Sequence, residues 1–227
     1  MKKRSVMMMA LVALGLAFVG CDKKDDVKKE TVKKALTIDA TKYDMWTYIN
    51  LETGQTEIHR DFSEWNYYKV EGTGKDRKRI KYKTTPAQGS EADIKIKWHI
   101  AIHRYDIKTN NGEAVATAEK NISNVKTLPA TGYEADKIIE NKIITDPSEM
   151  TSYKVGYASK SNLNKVLEGW LIKTPTGTMP PYSYKLSELV YVVKFKDGSH
   201  AKLKFTDHLS AVGETGHVTF QYEFQPK

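Results

Sequence analysis

Met150 and Met179 are the side chains whose placement most invites chemistry. The chain has seven methionines; Met1, Met7, Met8 and Met9 crowd its N-terminus. Met45 falls in the strand-like run Tyr43-Asp44-Met45-Trp46, where a flexible thioether fills gaps in a core. The other two sit on proline-bounded turns, Asp146-Pro147-Ser148-Glu149-Met150 and Thr176-Gly177-Thr178-Met179-Pro180-Pro181. Either each covers the base of its own loop, or both sulfurs face a shared apolar ligand or a soft metal. Thioethers suit Cu(I) and haem iron. Nearby Tyr153, Tyr157, Tyr182 and Tyr184 could lay flat faces beside a planar ligand.

The remaining chemistry is sparse. His99 and His103 are four residues apart, which on a helix would let them share a metal. In a strand, at about 3.3 Å per residue, they lie roughly 13 Å apart and cannot. Trp98, Ile100 and Ile102 alternate with them and favour the strand, so both read as structural. His59, His200, His208 and His217 are scattered without ligand spacing. Asp106, Asp146, Glu149 and Asp207 are not paired by sequence, and no Cys-His cluster, phosphate-binding glycine loop or nucleophile elbow occurs. The expectation is a protein that is not an enzyme.

An address is written at the N-terminus. Lys2, Lys3 and Arg4 precede an apolar run from Val6 to Val19 and a small residue, Gly20. This is the layout of a secretory signal over residues 1–20, and its apolar run of about 14 residues is short for a membrane span. Phe18-Val19-Gly20-Cys21 resembles a bacterial lipobox, which implies acylation of Cys21, the only cysteine. Buried acyl chains, at about 0.8 kcal/mol per CH₂, would then anchor the chain without a spanning helix. Residues 21–35 hold little to bury and read as a lipidated cysteine followed by a charged, flexible tether. Within it, Lys24-Asp25-Asp26 resembles the signal that sends some lipoproteins to the outer face of the outer membrane.

Residues 36–227 are expected to form one all-β domain. The exported fold has no disulfide to staple it, so 13 Tyr, 4 Trp and 6 Phe must supply the buried surface. Val218, Phe220, Tyr222 and Phe224 alternate with Thr219, Gln221 and Glu223, the period of a half-buried strand. Leu189–Lys196 and Ser199–Phe205 flank Asp197-Gly198, a pair suited to a tight hairpin with both residues at positive φ. Further strands are expected at 43–50, 56–59, 64–70, 94–107, 114–118, 137–145, 153–157 and 167–173. One short helix is expected at Ser161–Val166, capped by Ser161. The net charge of +8 is spread along the chain and excludes the concentrated basic stripe of a nucleic-acid binder. Its densest part, 71–89, carries Lys75, Arg77, Lys78, Arg79, Lys81 and Lys83 among Gly72, Gly74, Pro86 and Gly89. That stretch is either a solvated loop or long hairpin, or a contact surface for acidic headgroups or an acidic partner loop.

Several blocks carry a family likeness. They are Ile38–Tyr48, Trp98-His99-Ile100-Ala101-Ile102-His103-Arg104-Tyr105-Asp106, Leu128-Pro129 with Gly132-Tyr133, Gly169-Trp170-Leu171, Tyr184-Lys185-Leu186-Ser187 and Lys204-Phe205-Thr206-Asp207. In this order they resemble the HmuY-type haem-binding lipoproteins of Gram-negative anaerobes. The resemblance implies a compact all-β fold that grips one haem between two axial ligands. It also implies capture of haem from host carrier proteins and delivery to a TonB-dependent outer-membrane receptor, from a lipid-anchored site at the cell surface or after shedding. The ligands of the best-known member are two histidines. The matching positions here hold Met150, three residues after Pro147, and Met179, the only soft ligand between Trp170 and Tyr184. Tyr153 and Tyr182 are the expected stacking residues. A thioether pair favours Fe(II), so haem binding is expected to tighten on reduction. The alternatives are an all-β adhesin or glycan-binding lipoprotein without metal, whose aromatic loops stack on sugars, and a haem-free receptor subunit.

Overall fold

The computed structural model describes residues 33–227. The expected signal sequence, Cys21 and most of the expected tether lie outside them. Among the described residues no helix is long and apolar enough to cross a membrane.

Strands dominate, in three principal sheets. The largest is six-stranded, in the order β1 (Lys34–Asp39), β18 (Thr215–Gln225), β17 (His200–Leu209), β16 (Tyr191–Lys194), β8 (Glu113–Ala116) and β9 (Glu134–Ala135). The second runs β3 (Thr56–Arg60), β2 (Met45–Ile49), β6 (Ile100–His103) and β7 (Asp106–Thr109). The third runs β11 (Ile144–Asp146), β12 (Lys154–Ala158), β4 (Trp65–Glu71) and β5 (Lys78–Thr85). Two ribbons complete the set: β10 (Lys137–Ile139) with β13 (Ser161–Leu163), and β14 (Leu171–Pro175) with β15 (Tyr182–Leu186). The all-β expectation holds, with a single four-residue helix, α1 (Lys165–Glu168).

Apolar clusters explain how the sheets are layered. Alternation in β17 and β18 places Leu203 opposite Tyr222 and Phe205 opposite Phe220. Those residues share one cluster with Ile49, Ile100, Ile102 and Ile107 of the second sheet and with Trp170. The opposite face of the second sheet presents Trp46, Tyr48 and Ala101 to Ile143, Ala158 and Leu163. That sheet is therefore buried on both faces, and β2 and β6 read as near-continuous apolar runs rather than alternating ones. The outer face of the six-stranded sheet is covered in turn by Ile122 and Val125 packed on Val190 and Val192.

Several local expectations need correction. The 94–107 segment is not one strand: Ile94–His99 is irregular, and β6 and β7 form a hairpin that turns at Arg104, whose φ is 51°. Ser161 starts no helix. Residues 161–163 pair with β10, and the helix is capped instead by Asn164, whose Oδ1 accepts the Leu167 N–H. Of the two structural readings of 71–89, loop and long hairpin, the hairpin holds, since β5 pairs with β4 along its length. Lys34 and Ala35, placed in the tether from sequence, already pair with Tyr222 and Gln221. Asp197-Gly198 turns the chain as foreseen but by different geometry: only Gly198 takes a positive φ, 88°, while Asp197 Oδ1 accepts the Ser199 N–H.

Two core groups make the fold testable. Trp170 is fully buried, and its indole N–H donates to the Tyr105 carbonyl. Trp170→Ala is expected to lower unfolding free energy by about 3–5 kcal/mol in urea titrations. His99 accepts the Leu51 N–H on Nδ1 and packs on Phe195 and Phe224. Burial first, and the Lys97 charge second, hold its pKa below the ordinary histidine value. The unfolded chain therefore binds the proton more readily, so this stabilisation is complete above about pH 6.5 and is lost as pH falls through the folded value. His99→Asn keeps an acceptor for Leu51 and is expected to flatten the decline in urea midpoint between about pH 7 and pH 5.

Candidate functional site

The two methionine turns grow from two elements that wall one cleft. Ile144 of β11 and Lys142 just before it form part of one wall, and Leu171, Lys173 and Tyr184 of the β14–β15 ribbon form the other. The cleft has a volume of about 410 Å³, and Tyr43 and the Arg104–Asp106 turn also line it. Six residues past Ile144 the chain reaches Met150, and six past Lys173 it reaches Met179.

The Met150 turn is held by its own backbone. Met150 opens a single 3-10 turn, Met150–Ser152, in which its N–H donates to the Pro147 carbonyl and the Tyr153 N–H to the Met150 carbonyl. Tyr153 closes the turn at φ 57°. Beneath it, β11 and β12 approach closely at Gly156, where a Cβ would stand 2.9 Å from both Asp146 Cβ and Tyr67 Cε1. Tyr67 donates its hydroxyl to Asp146 Oδ2, and the Ser148 N–H donates to Oδ1. Burial raises the Asp146 carboxyl, but these hydrogen bonds outweigh it and hold the pKa below the usual carboxylate range. Lys154 then pairs with Glu149 at 2.7 Å across the turn.

Met179 occupies the tip of the β14–β15 ribbon. There the Thr176 hydroxyl donates to the carbonyls of Thr178 and Pro180, and Gly177 takes φ 73°. The Met179–Pro180 bond is cis. Both thioethers reach solvent: Met150 is 43 % exposed and Met179 86 %. A bulky apolar side chain so exposed is available to a ligand rather than spent on the core.

The tyrosines divide. Lys173 lies opposite Tyr184, and Pro175 opposite Tyr182, so these residues share one face of the ribbon, the face that Lys173 and Tyr184 present to the cleft. Tyr184 also packs on Tyr105 and His208. Tyr182 has the Lys173 ammonium 4.0 Å over its ring, and Tyr153 has the Arg77 guanidinium at 5.1 Å. Tyr157 turns to the β4–β5 arm, edge-on to Tyr68 and under Arg79. Arg77 belongs to that basic arm, whose Val70 N–H donates to the Tyr153 carbonyl, so the arm braces the Met150 turn.

Sequence reading missed Lys142 and Arg104 in the cleft's polar floor. Arg104 donates to the Thr41 carbonyl and stacks on Tyr43; Lys142 and Lys173 have no ion-pair partner among the described residues. His103 is buried, with Nε2 2.6 Å from the Tyr43 carbonyl and Nδ1 3.6 Å from Asp106. His99 and His103 therefore serve structure, and among the described residues no three His, Cys, Asp or Glu side chains gather to hold a metal ion. Nothing in one-dimensional spacing joins Lys142 to Lys173; only the fold, which brings both to one cleft, does.

Comparison with known proteins places this geometry in a family. The model of the HmuY protein family matches residues 42–222. The chain belongs to the HmuY family. It is similar to the apo HmuY analog of Tannerella forsythia, with 53 % identity over 89 % of this chain and 100 % of that one, at a TM-score of 0.78. Apo PinO from Porphyromonas gingivitis shares 33 % identity over 87 % and 99 % of the two chains, at 0.76. A Bacteroides vulgatus protein described as HmuY-like and heme-binding shares 29 % over 86 % and 93 %, at 0.65. No curated protein sequence matches the chain. Neither Met150 nor Met179 lines the cleft itself; each lies on a turn that continues from a strand that does.

Gly156→Ala tests the bracing of the first turn. The added methyl must push Tyr67 or Asp146 aside, and a loss of about 1–3 kcal/mol in unfolding free energy is expected. Limited proteolysis should then cut faster within 147–153 than in the parent protein.

Proposed function

We propose that this HmuY-family protein is a non-enzymatic haem-capture lipoprotein, with Met150 and Met179 as the two axial ligands of one haem iron. What supports the reading is that two exposed thioethers lie on turns whose parent strands line a single cleft. The chemistry of the surroundings fits the cargo. Haem brings a flat apolar ring, which Tyr153 and Tyr182 can flank, and two carboxylates, for which the unpaired Lys142 and Lys173 are suitable cations. The description of the B. vulgatus relative as heme-binding supports the same cargo.

A neutral thioether on each side of the iron stabilises Fe(II) relative to Fe(III) and raises the reduction potential. The protein would therefore hold haem most tightly under reducing conditions. Lipidation at Cys21 would keep it at the outer membrane, facing outward, where it takes haem from host carrier proteins and passes it to a TonB-dependent receptor. The metal-free reading, a glycan-binding adhesin, has less support, because the relative described by its ligand is heme-binding.

Titration with haemin, with and without dithionite, checks the ligand assignment. A sharpened Soret band is expected on reduction of the wild-type complex. Met150→Ala and Met179→Ala should each weaken ferrous-haem binding at least about tenfold, the equivalent of one lost ligand bond of ~1.4 kcal/mol or more. Unchanged ferrous affinity in both variants would refute the assignment.

A further inference from the structure

Basic side chains occur along the whole chain, but their excess over acidic ones is concentrated. Of the net +8, residues 1–32 account for three charges, with seven basic and four acidic side chains, so five fall within 33–227. Residues 69–83 hold all five, with seven basic side chains against Glu71 and Asp76. The rest of the described residues balance to zero. This segment runs from the end of β4 through the hairpin turn into β5.

Three of its cations take no part in the fold. Lys69 pairs with Glu71 at 2.6 Å, Arg77 and Arg79 lie over the Tyr153 and Tyr68 rings, and Lys83 lies over Tyr67. The side chains of Lys75, Lys78 and Lys81 are exposed and have no hydrogen bond, ion pair or ring contact among the described residues.

β5 is the outermost strand of its sheet, yet its free edge is ill suited to a further strand. The register shifts between Tyr67 and Tyr68, where Tyr82 is the extra residue. Lys83 and Lys81 stand opposite those two tyrosines and so lie on opposite faces. A bulge and flanking lysines are common guards against edge pairing. Among the cations stand apolar groups: Val70, Ile80 and Tyr82 are 38, 38 and 39 % exposed. Such a mixture suits the boundary layer of a bilayer, where ammonium groups meet phosphates and rings and aliphatic groups sit at headgroup level.

We infer that the β4–β5 arm docks on an anionic, phosphate-bearing lipid surface and orients the domain there. Its setting rests on the proposed lipidation of Cys21. Residues 22–32 separate that anchor from the described chain, and backbone of that length spans at most about 40 Å. The arm therefore stays within reach of the headgroups, while the contact itself needs no acyl chain. Each cation near an anionic surface strengthens binding about fivefold, so the three free lysines supply about a hundredfold. Docking would also bring the Met150 turn, which the arm braces through Val70 and Arg77, toward the membrane face.

Vesicle co-sedimentation tests this with residues 22–227, which keep every described strand and all three apolar clusters but carry no acyl chain. Binding is expected to vesicles of phosphatidylcholine and phosphatidylglycerol in equal parts, not to phosphatidylcholine alone, and is expected to fade at high salt. Lys75→Gln, Lys78→Gln and Lys81→Gln together should weaken it at least about tenfold. The same change at Lys42, Lys126 and Lys196, exposed lysines elsewhere, leaves an identical net charge and should have little effect. Equal binding to both vesicle types, no binding to either, or equal loss in the two triple variants would overturn the inference. So would capture by poly-glutamate without binding to the mixed vesicles, which would assign the arm to an acidic protein instead.

Discussion

Burial of the β3-β2-β6-β7 sheet on both faces is the constraint on which the rest of the molecule depends. Ile49, Ile100 and Ile102 look to the six-stranded sheet, and Trp46, Tyr48 and Ala101 look to the other side. With one cysteine in the chain, no disulfide within it can replace this burial. A sheet without a wet face must satisfy its polar groups internally, and the structure shows how. Asp61 collects two indole N–H groups, His99 accepts the Leu51 N–H, and Asp136 takes the Thr109 N–H and hydroxyl together with the Asn164 amide. Apart from the Trp65–Asp61 bond, each partner is distant in sequence, so these bonds also fix the register of the layers.

A rigid interior lets the periphery carry function. Met150 and Met179 contribute little to folding at their exposures, yet their turns are tied by local hydrogen bonds to backbone carbonyls and hydroxyls. A turn whose backbone is already ordered loses little backbone entropy when a ligand covers it, which favours binding. The basic β4–β5 arm adds to this order: the Tyr153 carbonyl accepts from Val70, and Arg77 lies over the Tyr153 ring. What composition alone presents as a charged insertion is thus a brace for one methionine turn.

Much of the fold was legible where one face meets water. The alternation of Val218, Phe220 and Tyr222 could be read directly, and so could the chain reversal at Gly198. Period fails where both faces are buried: the 94–107 segment looked like one strand because Ile100 and Ala101 are equally apolar choices for opposite cores. The β15 strand escaped notice because its ribbon is largely exposed and polar, and β5 was left open between loop and hairpin because lysines and arginines mask its pairing. At the site, Met150 and Met179 stood out by their turns, whereas Lys142 and Arg104 did not. Cations are common on surfaces, and only the shared cleft selects these two.

The central claim concerns atoms bound to iron, and X-ray absorption at the iron edge reads them directly. Applied to the haem-loaded full chain after reduction, the account predicts four porphyrin nitrogens and two sulfur scatterers in the coordination sphere. A spectrum fitted by nitrogen or oxygen alone in the axial positions, with Met150 and Met179 intact, would contradict it.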